Sequence, residues 1–141
     1  MNISKHITLL EATKSQTAIR NGIPNEPNEV QLEAMKLVAE ACFEPIRNHF
    51  GIQLKVSSFF RCEALNATVG GSKTSQHCKG EAIDIDADGT VITNKQIFDW
   101  AKANLKFDQL ILEYPDKDGN PAWVHISFSK HGNRNQVLTI K

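Results

Sequence analysis

The chain has 141 residues, 16 basic and 16 acidic side chains, a formal net charge of zero and 40% hydrophobic residues. That size suits one domain with one core, and that balance describes an ordinary soluble globular protein rather than a disordered one. With no basic run there is no electrostatic footprint of a nucleic-acid binder, and no apolar stretch approaches the roughly 20 residues that insertion into a membrane requires.

In chain order, residues 1–27 are mixed in character and read as an N-terminal extension packed on the rest. Their apolar run is too short for a signal peptide, so synthesis in the cytoplasm is expected. A short helix is predicted over Ser15–Asn21, stopped by Gly22 with Pro24 and Pro27 beyond. Asn28 can cap a second helix, with Val30, Leu37, Val38, Ala41 and Cys42 on one side and a disturbance near Pro45. QLKVSSFF (53–60) reads as a strand, CEALNATVGG as a short helix ended by Gly70 and Gly71, and AIDIDA (82–87) as a half-buried strand. Thr93 and Gln96 form a capping box for a helix over 94–104, with Ile97, Trp100 and Ala101 inward. QLILEY (109–114), WVHISF (123–128) and VLTI (137–140) are further strands, and PDKDGNPA is a polar turn-rich loop. The pattern predicts a single α+β domain over 1–141, with a small, mainly antiparallel central sheet and helices packed on one side.

The three cysteines, Cys42, Cys62 and Cys78, are odd in number and irregularly spaced, so they form no disulfide framework and suit a reducing compartment. Cys78 lacks a helix N-terminus to lower its pKa, which argues against a cysteine hydrolase.

The stretch SQHCKGEAIDID (75–86) carries the chemistry. His77 in a loop and Asp84 on the following strand are two potential zinc ligands; Gly80 lets the loop turn back, and Ala82 keeps the wall thin. His125, centred in the apolar WVHIS, is the best third ligand. Taken singly, His77 fits a surface loop better than a ligand position, Asp84 also fits a strand-end carboxylate paired with a lysine, and His125 fits a satisfied core histidine better. No HExxH helix and no CxxC pair is present.

SQHCKGEAIDID resembles the SxHxxGxAxD motif of the zinc D-alanyl-D-alanine carboxypeptidases and their relatives, a group that includes vancomycin-resistance dipeptidases, phage L-alanyl-D-glutamate endopeptidases and the Hedgehog signalling domain. SSFFRCEALNATVGG resembles the family's S-x-[FY]-R segment, WVHIS resembles its second histidine motif, and the N-terminal region resembles a small phage-associated branch. The resemblance implies a zinc site on the sheet with His77, Asp84 and His125 as ligands. It implies Arg61 as the group that contacts substrate and steadies developing negative charge, and Ser75 as a pocket residue. The family's usual base lies shortly before the second histidine, often three residues earlier; here that position is Ala122, a departure from the pattern. Glu113 is the candidate replacement, because a carboxylate in the apolar strand QLILEY is costly without a role. One hairpin register sets Glu113 opposite His125. Asp86 is the second candidate base, and Trp123 is a candidate pocket wall with a core position as its alternative. His131 and Arg134 are placed at the flank of the cleft.

The implied function is zinc-dependent hydrolysis of peptidoglycan stem peptides by a monomer that reaches the wall during phage lysis. The competing reading, kept alive by Ala122, is a non-catalytic zinc-bearing binding or virion structural module.

Overall fold

The structure, a computed structural model, describes residues 1–141. At the N-terminus β1 (Asn2–Ser4) and β2 (Ile7–Thr8) form a two-stranded antiparallel ribbon, followed by α1 (Leu9–Thr13) and α2 (Gln16–Arg20). The ribbon is anchored by a buried carboxylate. Glu44 accepts hydrogen bonds from the Ser4 hydroxyl and from the backbone N–H of His6 (3.0 Å), and pairs with His6 Nδ1 at 2.6 Å.

Asn28 caps α3 (Glu29–Val38) through a reciprocal bond with Gln31, as its position predicts. The disturbance ahead of Pro45 takes a definite form. Residues Ala39–Phe43 make one wide π-type turn before α4 (Glu44–Phe50). Proline has no N–H to offer Ala41 and its ring would strike that carbonyl, so the chain widens and Glu44 N–H reaches back to Ala39 instead. The buried stripe is therefore Met35, Val38, Ala39, Cys42, Phe43 and Ile46, while Val30, predicted inward, is 73% exposed. Gly51 ends α4 in the left-handed conformation at φ +65°.

The main sheet contains β3 (Lys55–Ser58), β4 (Ala82–Asp86), β5 (Gln109–Glu113), β6 (Trp123–Ser127) and β7 (Gln136–Ile140), in spatial order β3-β4-β6-β5-β7. The β3/β4, β4/β6 and β5/β6 pairs are antiparallel, and β5/β7 is parallel. The sheet is thus mainly antiparallel with one parallel edge. The strand predicted over 53–60 is confined to 55–58. Beyond it the chain leaves the sheet, and Phe60 N–H bonds Ala12 O rather than a strand partner.

Alternation along the central strands divides the sheet into two faces. Ile83, Ile85, Leu110, Leu112, Val124 and Ile126 point to one side and join the core with Met35 and Val38 of α3 and with Ile97 and Ala101 of α6 (Asn94–Asn104). Each such side chain, fully removed from water, contributes about 1.5–3 kcal/mol before the entropy of ordering it is counted. Trp100 lies at the edge of that core, stacked on His49 at 4.4 Å. On the opposite face Asp84 lies across from His125, and His125 across from Ile111. β4 is buried on both faces rather than half-buried, because the 3-10 turn at Gln76–Lys79, which follows α5 (Glu63–Thr68) in the chain, lies against its second side.

Candidate metal centre

His77 stands in the 3-10 turn that Ser75 caps by accepting the His77 N–H (3.2 Å). Gly80 closes the turn at φ +74°. A Cβ there would come within 2.5 Å of Gln31 O and 2.8 Å of Met35 Cγ, so the turn sits directly on α3, and only glycine allows that approach. Gln31 adds a hydrogen bond to Cys78 O at 3.1 Å.

The turn delivers His77, 2% exposed, to the face of β4 that carries Asp84, 8% exposed. His77 Nε2 lies 3.3 Å from Asp84 Oδ2, and His125 Nδ1 lies 2.9 Å from Asp84 Oδ1. One ligand atom from each of the three residues falls within 4.8 Å of the other two. The orientation of His77 is set from behind. Its Nδ1 is 2.6 Å from Phe59 O, and a carbonyl only accepts, so the proton sits on Nδ1 and the Nε2 lone pair faces the cluster. Burial alone would raise the Asp84 pKa, but the side chains of His125 and His77 beside it outweigh burial and hold the carboxyl below its usual range. The result is a nearly dry anionic oxygen pair flanked by two imidazoles.

Residues 5–127 match the family model described as peptidase M15. The chain belongs to the peptidase M15 family. That family consists of zinc-dependent metallopeptidases, so the protein is a metallopeptidase at family level. No curated protein matches the chain at a significant level. The donor set fits the family's metal. Two neutral imidazole nitrogens and one carboxylate are favoured zinc ligands, and ligand atoms about 2.0–2.2 Å from one ion lie about 3.4 Å apart, close to the separations across Asp84.

Ala122, where the resemblance would place an acid, has a carboxylate-bearing residue as its backbone partner. Ala122 N–H donates to Glu113 O at 2.8 Å, and Glu113 pairs with Trp123 across β5/β6. The register that would set Glu113 opposite His125 is not the one adopted. Ile111 occupies that place, and Glu113 stands two pairs further along. A shift by two residues preserves the face, so Glu113 remains on the metal side, 9% exposed. Burial raises its pKa, with nearby Asp84 adding to the rise and His125 opposing it. Asp86, the second candidate, has Oδ1 engaged by Asp88 N–H and Asn94 Nδ2.

Arg61 is fixed through its backbone, which donates to His77 O at 3.3 Å, and its Nη2 reaches Ser75 Oγ at 3.4 Å. Its Nε is buried without a partner. Arg61 lines an open groove of about 890 Å³ along β3, shared with Ser58, Val56 and Asp86. Trp123 is half-buried on the metal face, with Tyr114 edge-on against it at 5.3 Å. Neither thiol is activated by its surroundings: burial raises the Cys78 pKa, with Arg61 opposing, and pushes Cys42 up to about 12. Arg134 forms a fork on Asp108.

Four contributors went unrecognised in the sequence. Asn25 clamps the Arg61 segment by accepting from Cys62 N–H and donating to Phe60 O and Thr13 O. Tyr114 adopts a left-handed φ of +49°, uncommon for an aromatic, which departs from strand geometry where its ring meets Trp123. Asp108 and Gln76 form a buried contact beside His77. Only Gln76, inside the motif itself, carried a signal that might have been followed.

Asp108 also makes a prediction for acid stability. The Arg134 fork beside it holds its carboxyl at about 2, against burial, which pushes the other way. A depressed folded pKa stabilises the protein above the unfolded value of about 3.9, and that stabilisation is lost as pH falls toward the folded value. Denaturant unfolding between pH 5 and about pH 2 should show a steeper loss for the wild type than for Asp108→Asn. Equal slopes would assign the acid sensitivity to other carboxylates.

Proposed function

We propose that the protein is a zinc-dependent peptidase acting on peptidoglycan stem peptides, with the chain 1–141 working as one unit. The observation that carries this reading is Glu113: a buried carboxylate on the metal face, bonded through its backbone to Ala122, the position the family's acid has vacated. In this reading His77, Asp84 and His125 hold zinc, and Ser75 and Trp123 line the pocket with Arg61. Zinc, when bound, supplies a Lewis acid that polarises a carbonyl and acidifies water.

Glu113 accepts the proton of the attacking water and hands it to the leaving amine; its raised pKa suits both tasks, since a base tuned upward is also a better proton donor afterwards. Arg61, with one nitrogen free of protein partners, offers a fixed charge to a developing oxyanion or a terminal carboxylate. No helix is long and apolar enough to cross a membrane. Action as a monomer on the wall after phage lysis completes the proposal.

The test is a digest of purified peptidoglycan by the zinc-loaded protein, with and without chelator, read by mass spectrometry of the fragments. Chelator-sensitive loss of one alanine per stem is the carboxypeptidase outcome, and new internal termini are the endopeptidase outcome. Absence of any fragment from several wall types, with zinc still bound, would replace this reading by a non-catalytic module.

A further inference from the structure

Asp108 lies at the head of β5, outside the metal face, and is 5% exposed. A buried carboxylate is costly unless its oxygens are satisfied, and here both are. Arg134 donates Nε to Oδ1 (2.9 Å) and Nη2 to Oδ2 (2.8 Å), and its backbone N–H adds a bond to Oδ1 (3.1 Å). Gln76 Nε2 donates to Oδ2 at 2.9 Å. Gln76 directly precedes His77.

The backbone of Asp108 runs the other way. Its N–H donates to Ser127 O at 2.8 Å, and Gln109 N–H donates to Ser127 Oγ at 3.0 Å; Ser127 is two residues from His125 on β6. One residue therefore grips both segments that carry the imidazoles, one through its side chain and the other through its main chain.

We propose that Asp108 is a positioning residue for the metal centre, its Arg134-braced carboxylate holding Gln76 and thereby fixing the His77 turn against the His125 strand. The inference rests on the assignment of His77 and His125 as ligands. Three observations support it. An ionised carboxylate only accepts, so it dictates that the Gln76 amide presents its NH₂. The cost of that orientation is visible, because Gln76 Oε1 is buried with no partner. The backbone of the turn is independently secured by Glu81 N–H to Gln76 O (3.0 Å) and by the Ser75 cap, so the side-chain contact is not needed merely to form the turn. It sets where the turn sits relative to β6. Groups behind metal ligands commonly govern affinity in this way, at about 10–100-fold per contact.

The experiment measures zinc affinity by chelator competition, and the visible absorption of the cobalt-substituted protein, for wild type, Gln76→Ala, Asp108→Asn and the double variant. Thermal unfolding of the metal-free forms is recorded alongside. Gln76→Ala should weaken zinc about tenfold and alter the cobalt spectrum while leaving metal-free unfolding close to wild type. Asp108→Asn, which also weakens the Arg134 fork, should do at least as much, and the double variant should be no worse than Asp108→Asn alone, since Gln76 acts through the contact that Asp108→Asn already disturbs. Should Asp108→Asn fail to fold, Gln76→Ala still decides the matter. Wild-type affinity and an unchanged spectrum in Gln76→Ala would overturn the proposal even if the enzyme cleaves peptidoglycan. A wild-type protein that binds no zinc would overturn it together with the ligand assignment, whereas zinc binding without turnover would leave it standing and remove only the peptidase reading.

Discussion

His77→Ala should lose bound zinc and peptidase activity together, with activity falling to background. His77 is the most buried of the three candidate ligands at 2% exposure, and its ring is locked by Phe59 O with Nε2 turned toward Asp84. Alanine removes a donor that no neighbour can replace. Cys78 is adjacent in sequence, but burial raises its thiol pKa, which works against the thiolate that zinc ligation requires. Two ligands remain, one fewer than the three that catalytic zinc sites usually draw from the protein. The metal-free fold should also weaken, by about 1–3 kcal/mol, because the buried Phe59 O loses its donor. Elemental analysis of the purified variant, with circular dichroism to verify folding, checks both parts. A folded, zinc-free and fully active His77→Ala protein would remove the metal from the chemistry altogether.

Glu113→Gln should separate chemistry from metal binding. Glutamine keeps the size and the backbone bond to Ala122 but takes no proton, so turnover should fall by roughly 10²–10⁴ while zinc content stays at the wild-type level. Stability should move in the opposite sense. A carboxyl whose folded pKa is raised is penalised when ionised, so at neutral pH the charge on Glu113 costs the folded state something that the neutral amide does not. The variant should therefore be at least as stable as the wild type near pH 7, the usual signature of a side chain retained for function at the expense of stability. Loss of zinc in Glu113→Gln would mean that Glu113 is a ligand, and unchanged turnover would pass the role of base elsewhere.

Much of this was legible in the chain because it is local. Caps at Asn28 and Thr93, the alternation in AIDID, and the apolar runs QLILE and WVHIS depend on neighbours within a few residues, and the observed elements follow them closely. The two histidines and Asp84 were also legible, since the motif places His77 and Asp84 across a glycine turn and a histidine inside an apolar strand invites a reason. Parity along β5 was enough to assign Glu113 to one face or the other, but not to choose which.

The rest required the fold. The pairing of Glu113 with Trp123 rather than His125 depends on how a long loop closes, and loop closure leaves little trace in sequence. The π-type turn before Pro45 arises because one proline interrupts the helical hydrogen bonds, and Val30, in the first turn of α3, is left exposed by how that helix packs. Asn25 on the Arg61 segment and Asp108 on Gln76 join residues 32 or more positions apart, through hydrogen bonds whose value lies in burial that only packing creates. The amino-acid sequence by itself determined the kinds of elements and offered His77, Asp84 and His125 as candidate ligands, because those follow from local spacing and side-chain chemistry, while the departure at Ala122 came from the family resemblance. Tertiary structure alone decided that Glu113 stands beside Ala122 and that Asp108 contacts Gln76, because both are set by strand register and by contacts between segments far apart in the chain.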